Sequence, residues 1–510
     1  CVSVIRMSDF TKVKDIQLAN GSNALRGICM TPDGKYIYIS HNLGRFTVPT
    51  SQLQQGWMNT SAFSIIDVAK QEFIGAVVVD EPERGAAGIW SIVCNDETLF
   101  ITHSGTHEIS VIDHKAMLDK FLNYPNKSML DYDLRFLYGL RKRIPLEGNG
   151  PRKMIMENGK LYIPTYFADI LNIVDAQTCE IATANLNPDR EESAENKGER
   201  YFNDASHCFQ NWQSCNGCHP GDARTDGMNW DLMNDGVGNS KNCKSLLFSH
   251  PTPPSMISGI RETAEWAVRA GFKFIQFFDI TEEDAVCVDA YLKSLRPVPS
   301  PYLVDGELSD LAKEGRKIFE KLNCTECHSG PYYTDLKMHR IGEDIEFEKG
   351  WDTPTLREVW RTAPYLFDGR AATMEEVFEI HKHGIDKKVS KKETMADTLL
   401  AQLPKDESIF RLVFFGTPAN NEEYVTRRSI LWNKIQQRYE DRLPVMSYVS
   451  QPALDGALTL EVHSYRADEN DHITYHPNKG FPYVTLENAD GRFLFAGGFH
   501  SDILDFNIQQ

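Results

Sequence analysis

The chain has 510 residues, more than one hydrophobic core normally supports, so two or more domains are expected. Its 41% apolar and 25% charged residues are ordinary for a globular protein. A net charge of −18 disfavours nucleic acid and anionic membrane surfaces as partners and leaves a basic protein partner open.

Residues 1 to about 190 read as repeated strand, turn and strand. Val2-Ser3-Val4-Ile5 leads to Thr31-Pro32-Asp33-Gly34-Lys35-Tyr36-Ile37-Tyr38-Ile39-Ser40, a turn signal followed by alternating burial. The pattern returns at Phe63-Ser64-Ile65-Ile66-Asp67, at Ile109-Ser110-Val111-Ile112-Asp113 with Asn158-Gly159-Lys160-Leu161-Tyr162-Ile163, and at Leu171-Asn172-Ile173-Val174-Asp175. A loose period of about 45 to 60 residues is that of four-stranded propeller blades. These phrases resemble the YVTN type of β-propeller repeat. Three to four blades do not close a usual ring, so further blades or C-terminal strands would have to complete it. His41, His103 and His107 fall at strand ends and read as surface or hydrogen-bonded histidines. Asp119 to Arg143 reads as a helical, charged excursion between strands.

The stretch from Pro188 to Arg200 is polar and acidic and reads as a linker. Beyond it, Cys215, Cys218 and His219 stand as C-x-x-C-H, and Cys324, Cys327 and His328 repeat the pattern. Two thiols so spaced can bond one haem while the adjacent imidazole reaches its iron. With 11 Cys and 15 His in the chain, chance gives roughly 0.007 such patterns. The competing zinc knuckle needs four clustered ligands, and a redox dithiol needs a βαβ setting that the flanking residues do not supply. Of the seven other cysteines, Cys208 and Cys243 flank the first copy and could pair. Helical spacing is expected over Glu282 to Leu295 and Leu308 to Leu322.

After the second copy come Thr353-Pro354-Thr355-Leu356-Arg357, Thr362-Ala363-Pro364-Tyr365, Asp368-Gly369-Arg370-Ala371-Ala372-Thr373 and Glu375-Glu376-Val377. With the two C-x-x-C-H sites they resemble the bacterial di-haem cytochrome c peroxidase family, which includes the MauG-type enzymes. The resemblance covers about residues 200 to 405. It implies two covalently bound haem c groups, with calcium between the haem domains as a further cofactor the sequence does not specify. In that family the second haem's other axial ligand lies about 14 residues past the aromatic of the Tyr-x-x-Asp-Gly segment. Counting from Phe367 gives His381, with His383 as the alternative, and hence a bis-histidine iron with His328.

For the first haem, the family's distal His has its counterpart near Gly236 to Asn239, which hold no His. That implies an open iron on His219, with His250, Met228 and Met233 as other candidate ligands. By the same analogy Trp266 is the aromatic between the haems, and Thr252 through Ala270 echoes Thr353 through Ala371. A peroxide-splitting site also needs an acid–base group. The family's Glu position falls on Val286, leaving Glu265 and Glu282, with Asp279, Glu283 and Asp284 nearby, as candidate acids.

The expected architecture is propeller-like β blades over 1–190, a mainly α di-haem region over 200–300 and 301–440, and a short β segment over 441–510. The expected function is a peroxidase-like oxidoreductase, reducing hydrogen peroxide with electrons relayed from the second haem to the first. Two alternatives are an electron-transfer cytochrome with a docking propeller, and a MauG-like oxidase of a protein or small organic substrate. A redox protein donor is the expected partner, and no nucleic acid. Covalent haem attachment places the protein in the periplasm or on the outer surface and not in the cytoplasm, with Cys1 a candidate lipid-anchored residue if it is a true terminus; a fragment is the other reading. No apolar run is long enough for a transmembrane segment.

Overall fold

A computed structural model describes residues 1–47, 58–232, 241–341 and 349–384, and the backbone of strands lying between 411 and 498. The first half is built from antiparallel meanders. A hairpin of β1 (Val2–Ile5) and β2 (Lys12–Ile16) precedes three four-stranded sheets. The first sheet has β3 (Ser22–Met30), β4 (Tyr36–Gly44), β5 (Asn59–Asp67) and β6 (Glu72–Val78) in sequential order. The second runs through β7 (Ile89–Cys94), β8 (Thr98–His103), β9 (Glu108–Asp113) and β10 (Arg141–Pro145). The third holds β11 (Ile155–Glu157), β12 (Lys160–Pro164), β13 (Ile170–Asp175) and β14 (Ile181–Asn185). Each sheet is an antiparallel meander of four sequential strands, and the legible phrases fall at a different place in it from the one expected. The Ser-Ile-Ile-Asp type of phrase is a third strand in β5, β9 and β13, so each sheet begins earlier than its most legible phrase.

Turn chemistry and burial explain the meanders. Asn158 and Gly159 both take positive φ, 50° and 74°, in the two-residue turn between β11 and β12. Tyr38, Phe63, Ile65, Val77, Ile89, Leu99, Ile101 and Ile112 make the core between the first two sheets, and Phe100, Ile109, Leu161, Ile163 and Val174 that of the second and third. Two of the strand-end histidines are internal pins. His41 bonds the Asn42 carbonyl and Ser64 Oγ, and His103 the Ala86 carbonyl and Ser110 Oγ, each joining a second strand to a third. Burial pushes them down to about 4 and about 3, so both stay neutral. The excursion between β9 and β10 holds α1 (His114–Leu122) and a 3-10 turn at Lys127–Tyr132, and its last residues already belong to β10.

The expected linker is partly a helix, α2 (Ala194–Asn203), capped by Ser193 and burying Gly198, Tyr201 and Phe202. Charge at the exposed positions hid this short apolar stripe. Beyond it come the short turn α3 (Pro220–Ala223), α4 (Ala264–Phe274), α5 (Glu282–Ser294), α6 (Asp310–Lys321) and α7 (Met374–Glu379). Thr263, Thr281, Ser309 and Thr373 cap the last four through their hydroxyls. Tyr201, Phe202, Leu247, Phe272, Val288, Tyr291 and Leu292 form the core around Cys215. Among the C-terminal strands, Arg411–Gly416 pairs with Tyr483–Glu487, which pairs with Phe493–Gly498. The β segment therefore recruits a strand from well before residue 441. The helices expected over 391–403 and 422–443 lie outside the described residues.

At Gly198 a Cβ would stand 1.9 Å from the Cys287 carbonyl oxygen on α5. Gly198→Ala is expected to cost about 1–3 kcal/mol by forcing α2 from α5, read as a lower denaturation midpoint with an unchanged denaturant slope.

Candidate haem-binding sites

Both C-x-x-C-H segments fold as a 3-10 turn, Cys215–Gly217 and Cys324–Glu326, that closes back on its first cysteine. The His219 and His328 amides donate to the Cys215 and Cys324 carbonyls at 3.0 and 2.9 Å. The imidazoles are set the same way. His219 Nδ1 lies 3.1 Å from the Arg224 carbonyl oxygen and His328 Nδ1 lies 3.0 Å from that of Tyr333, each five residues on. A carbonyl can only accept, so Nδ1 carries the proton and Nε2 keeps its lone pair for a metal. Burial lowers the pKa of both rings, and they are neutral at pH 7.

None of the four cysteines of the two segments forms a disulfide, and among the described residues no three His, Cys, Asp or Glu side chains gather as a metal site. Gln276 Nε2 points at Cys215 Sγ at 3.3 Å, and Asn59 Nδ2, from β5, at Cys218 Sγ at 3.2 Å. Asn59 also bonds Gln213, so the first sheet forms one wall of the first site. Cys208 and Cys243 are unpaired: Cys208 packs with Val78, Leu134 and Trp212, and Cys243 Sγ sits 3.5 Å from His219 Nδ1.

Around His328 the structure brings up His383. Their ring centres are 6.4 Å apart, close enough for both rings to serve one bound group. The end of α7 is responsible. His381 and His383 amides bond back to the Glu376 and Val377 carbonyls, and Lys382 turns left-handed at φ 48°, returning the chain toward His328. Burial, with repulsion from Arg370 and from His328 were it protonated, pushes His383 down to about 4, leaving it neutral. The His381 ring lies instead against the Arg370 backbone.

The other predicted residues are placed less centrally. Trp266 is 67% exposed on the first turn of α4. Glu265 pairs with Lys293 at 2.9 Å, which holds it down at about 2. Glu282 pairs with Arg269 at 2.6 Å, which likewise holds it below the usual range. Such ion pairs keep a carboxylate ionised and poorly suited to hand over a proton at neutral pH. Asp284 bonds Lys197 and Tyr201. Of the alternative ligands to the first iron, His250 is committed to Asp289 at 3.1 Å, and Met228 faces Asn23 and Gly44 of the first sheet. Met233 and the 236–239 stretch lie outside the described residues.

What sequence reading missed is the seam joining the two segments. Arg224 Nε and Nη2 donate to Glu358 at 2.7 and 3.0 Å, with both side chains at most 5% exposed, and the Val298 amide donates to the same carboxylate. Lys244 pairs with Asp352 at 2.6 Å, and the Asn242 amide donates to the Phe367 carbonyl. The segments are also internal copies. Bridges join Ser255 to Arg261 and Tyr365 to Ala371, each after a cis proline, Pro254 and Pro364. The echo therefore aligns Pro254 with Pro364, in a different register from the one the sequence suggested, and Trp266 then corresponds to Glu376 rather than to Phe367.

No family profile matches the chain. Over part of its length it is similar, at low identity, to other proteins. Hydrazine synthase subunit gamma of Kuenenia stuttgartiensis is 28% identical over 237 residues, 35% of this chain and 66% of that one. Subunit beta of the same organism's enzyme is 25% identical over 189 residues, 34% of this chain and 47% of that one. Cytochrome c551 peroxidase of Nitrosomonas europaea is 22% identical over 229 residues, 39% of this chain and 65% of that one. The chain thus spans between about half and two thirds of these relatives. Among the described residues no helix is long and apolar enough to cross a membrane.

Arg224→Met would leave Glu358 buried without its cation, and a loss of about 3–5 kcal/mol is expected. The double variant with Glu358→Leu should recover most of it in the same denaturation experiment. Burial pushes the Glu358 carboxyl up, but Arg224 and the Val298 amide outweigh it and hold it below its ordinary 4.5. The pair's stabilisation is therefore present above pH 4.5 and lost as pH falls through the lowered value.

Proposed function

We propose that the chain is a di-haem c-type oxidoreductase. One haem would be tethered at Cys215 and Cys218 with His219 as its axial ligand. The other would be tethered at Cys324 and Cys327 between His328 and His383. The observation that carries this is the paired imidazole geometry, in which His219 and His328 are each turned by a backbone carbonyl to present Nε2. Bound haem supplies one-electron redox chemistry and, where an axial position is open, a place for a small ligand.

The chain's own residues divide the work. His383 would close the second site, making it an electron carrier, while at the first site His250 is engaged by Asp289 and Met228 lies against the first sheet. Arg224, Glu358, Lys244 and Asp352 clamp the two segments in fixed relation, which electron transfer between them requires. The three sheets would act as propeller blades that wall the first site through Asn59 and present a docking face to a redox partner. Attachment of haem c favours a periplasmic or outer-surface location.

Two reactions are carried forward. Peroxide reduction follows the likeness to cytochrome c551 peroxidase, although Glu265 and Glu282 are tied to cations. A hydrazine-synthase-like role is favoured by a separate observation: one chain is similar to both the gamma and the beta subunit of that enzyme. In this reading it would combine in one chain parts similar to two separate subunits of the Kuenenia enzyme. Peroxide consumption by the haem-loaded protein with a reduced cytochrome donor, against release of hydrazine from nitrogenous substrates, distinguishes the two.

His383→Ala is expected to convert the second haem from low-spin to high-spin ferric, seen by electron paramagnetic resonance. His381→Ala should leave that signal unchanged, and the opposite result would restore His381 as the ligand. Two low-spin haems in wild type that ignore peroxide would leave a pure electron carrier. Trp266→Phe should alter inter-haem electron transfer less than tenfold, because the side chain is exposed.

A further inference from the structure

The leading strands of the three sheets bring together a cluster that neither haem segment uses. Arg26 comes from β3, Trp90 from β7, and Arg152 from the residue after Pro151, just before β11. The guanidinium carbons lie 4.3 and 4.4 Å from the centre of the Trp90 ring, so the two positive charges are within about 9 Å of each other. Arg152 also lies over the Tyr166 ring at 3.8 Å.

Arginines elsewhere in these sheets meet acids when buried: Arg45 meets Asp131, Arg141 meets Glu81 and Arg143 meets Glu108. The pair on Trp90 does not. Arg26 Nη1 donates to the Ile89 carbonyl at 3.0 Å, and Arg152 Nη2 reaches Asn203 Oδ1 only at 3.4 Å. Arg152 Nε is buried with no hydrogen-bond partner. Burial and the Arg152 charge both work against protonated Arg26, and Glu199 and Tyr166 only partly offset the burial of Arg152. A guanidinium held over an aromatic ring can still donate from its N–H edge, the geometry by which Arg takes a planar oxyanion through two parallel bonds.

We propose that Arg26 and Arg152, held over Trp90, form a binding site for a carboxylate or comparable oxyanion. The anion neutralises two close like charges and satisfies the buried Arg152 N–H. Two sources share this chemistry. One is a free small anion reaching the junction of the three sheets. The other is a carboxylate side chain of bound haem, since Asn203, the partner of Arg152, ends the helix α2 that packs around Cys215.

The test is thermal denaturation of the haem-loaded protein in acetate and in inorganic phosphate, against chloride at matched ionic strength. Wild type, Arg26→Met and Arg152→Met are compared, with Arg26→Lys and Arg152→Lys to retain charge if the Met forms do not fold. A saturable rise of several degrees in wild type, with at least tenfold weaker response in the variants, identifies a free-anion site. No anion response, together with a reduction potential of the first haem that shifts in the Arg152 variants, identifies the haem carboxylate. Equal anion responses in wild type and variants, or no response with an unchanged potential, overturns the proposal. The acetate arm does not depend on which reaction the haems carry out.

Discussion

An imidazole binds iron only through a nitrogen that carries no proton, and everything at the two sites depends on which nitrogen that is. Here a backbone carbonyl five residues downstream settles the matter twice, at Arg224 for His219 and at Tyr333 for His328. The hydrogen bond forces the proton onto Nδ1 and turns Nε2 outward. Because the acceptor is main chain, its position depends on how the loop after each C-x-x-C-H folds. At the first site that loop is anchored by Arg224 to Glu358 of the second segment. Ligand orientation and the joining of the two segments are thus one structural problem, with Arg224 serving both.

The sheets join in through the first site. Asn59 of β5 meets Cys218, Met228 lies against Gly44, and Gly85 leaves room for the Asn211 and Trp212 backbone. His107 Nε2 also lies 3.0 Å from Asp204 Oδ1. A site walled by separate elements has its polarity and access set by tertiary packing, which is where such proteins tune redox behaviour. The second site is framed differently, with α6 supplying Phe319 near His328 and α7 returning His383 to it.

Legibility followed the range of the interactions involved. The residues proposed for attachment sit within five positions, so the motifs of Cys215, Cys218 and His219 and of Cys324, Cys327 and His328 were readable without any fold. Strands and turns were readable because alternation and Asn-Gly or Asp-Gly signals act locally; α5 and α6 were readable by their spacing. The helix α2 was hidden by its charged surface positions, and the blade phase by a phrase that marks a third strand and not a first. Glu265 and Glu282 looked available for proton transfer until Arg269 and Lys293, from neighbouring helices, were seen to hold them.

The sequence by itself determined that two groups can be tethered and which histidine follows each tether, because covalent spacing is a property of consecutive residues. It also determined that the first half alternates as strands. Only the tertiary structure brings the His383 ring to within 6.4 Å of that of His328, with a left-handed Lys382 at the end of α7 returning the chain there. It likewise decided that Arg224 meets Glu358, 134 residues away, and that Arg26 and Arg152 share one indole. Such pairings have no local signature, because each depends on how separate elements pack and on the energy of leaving a buried charge without a partner.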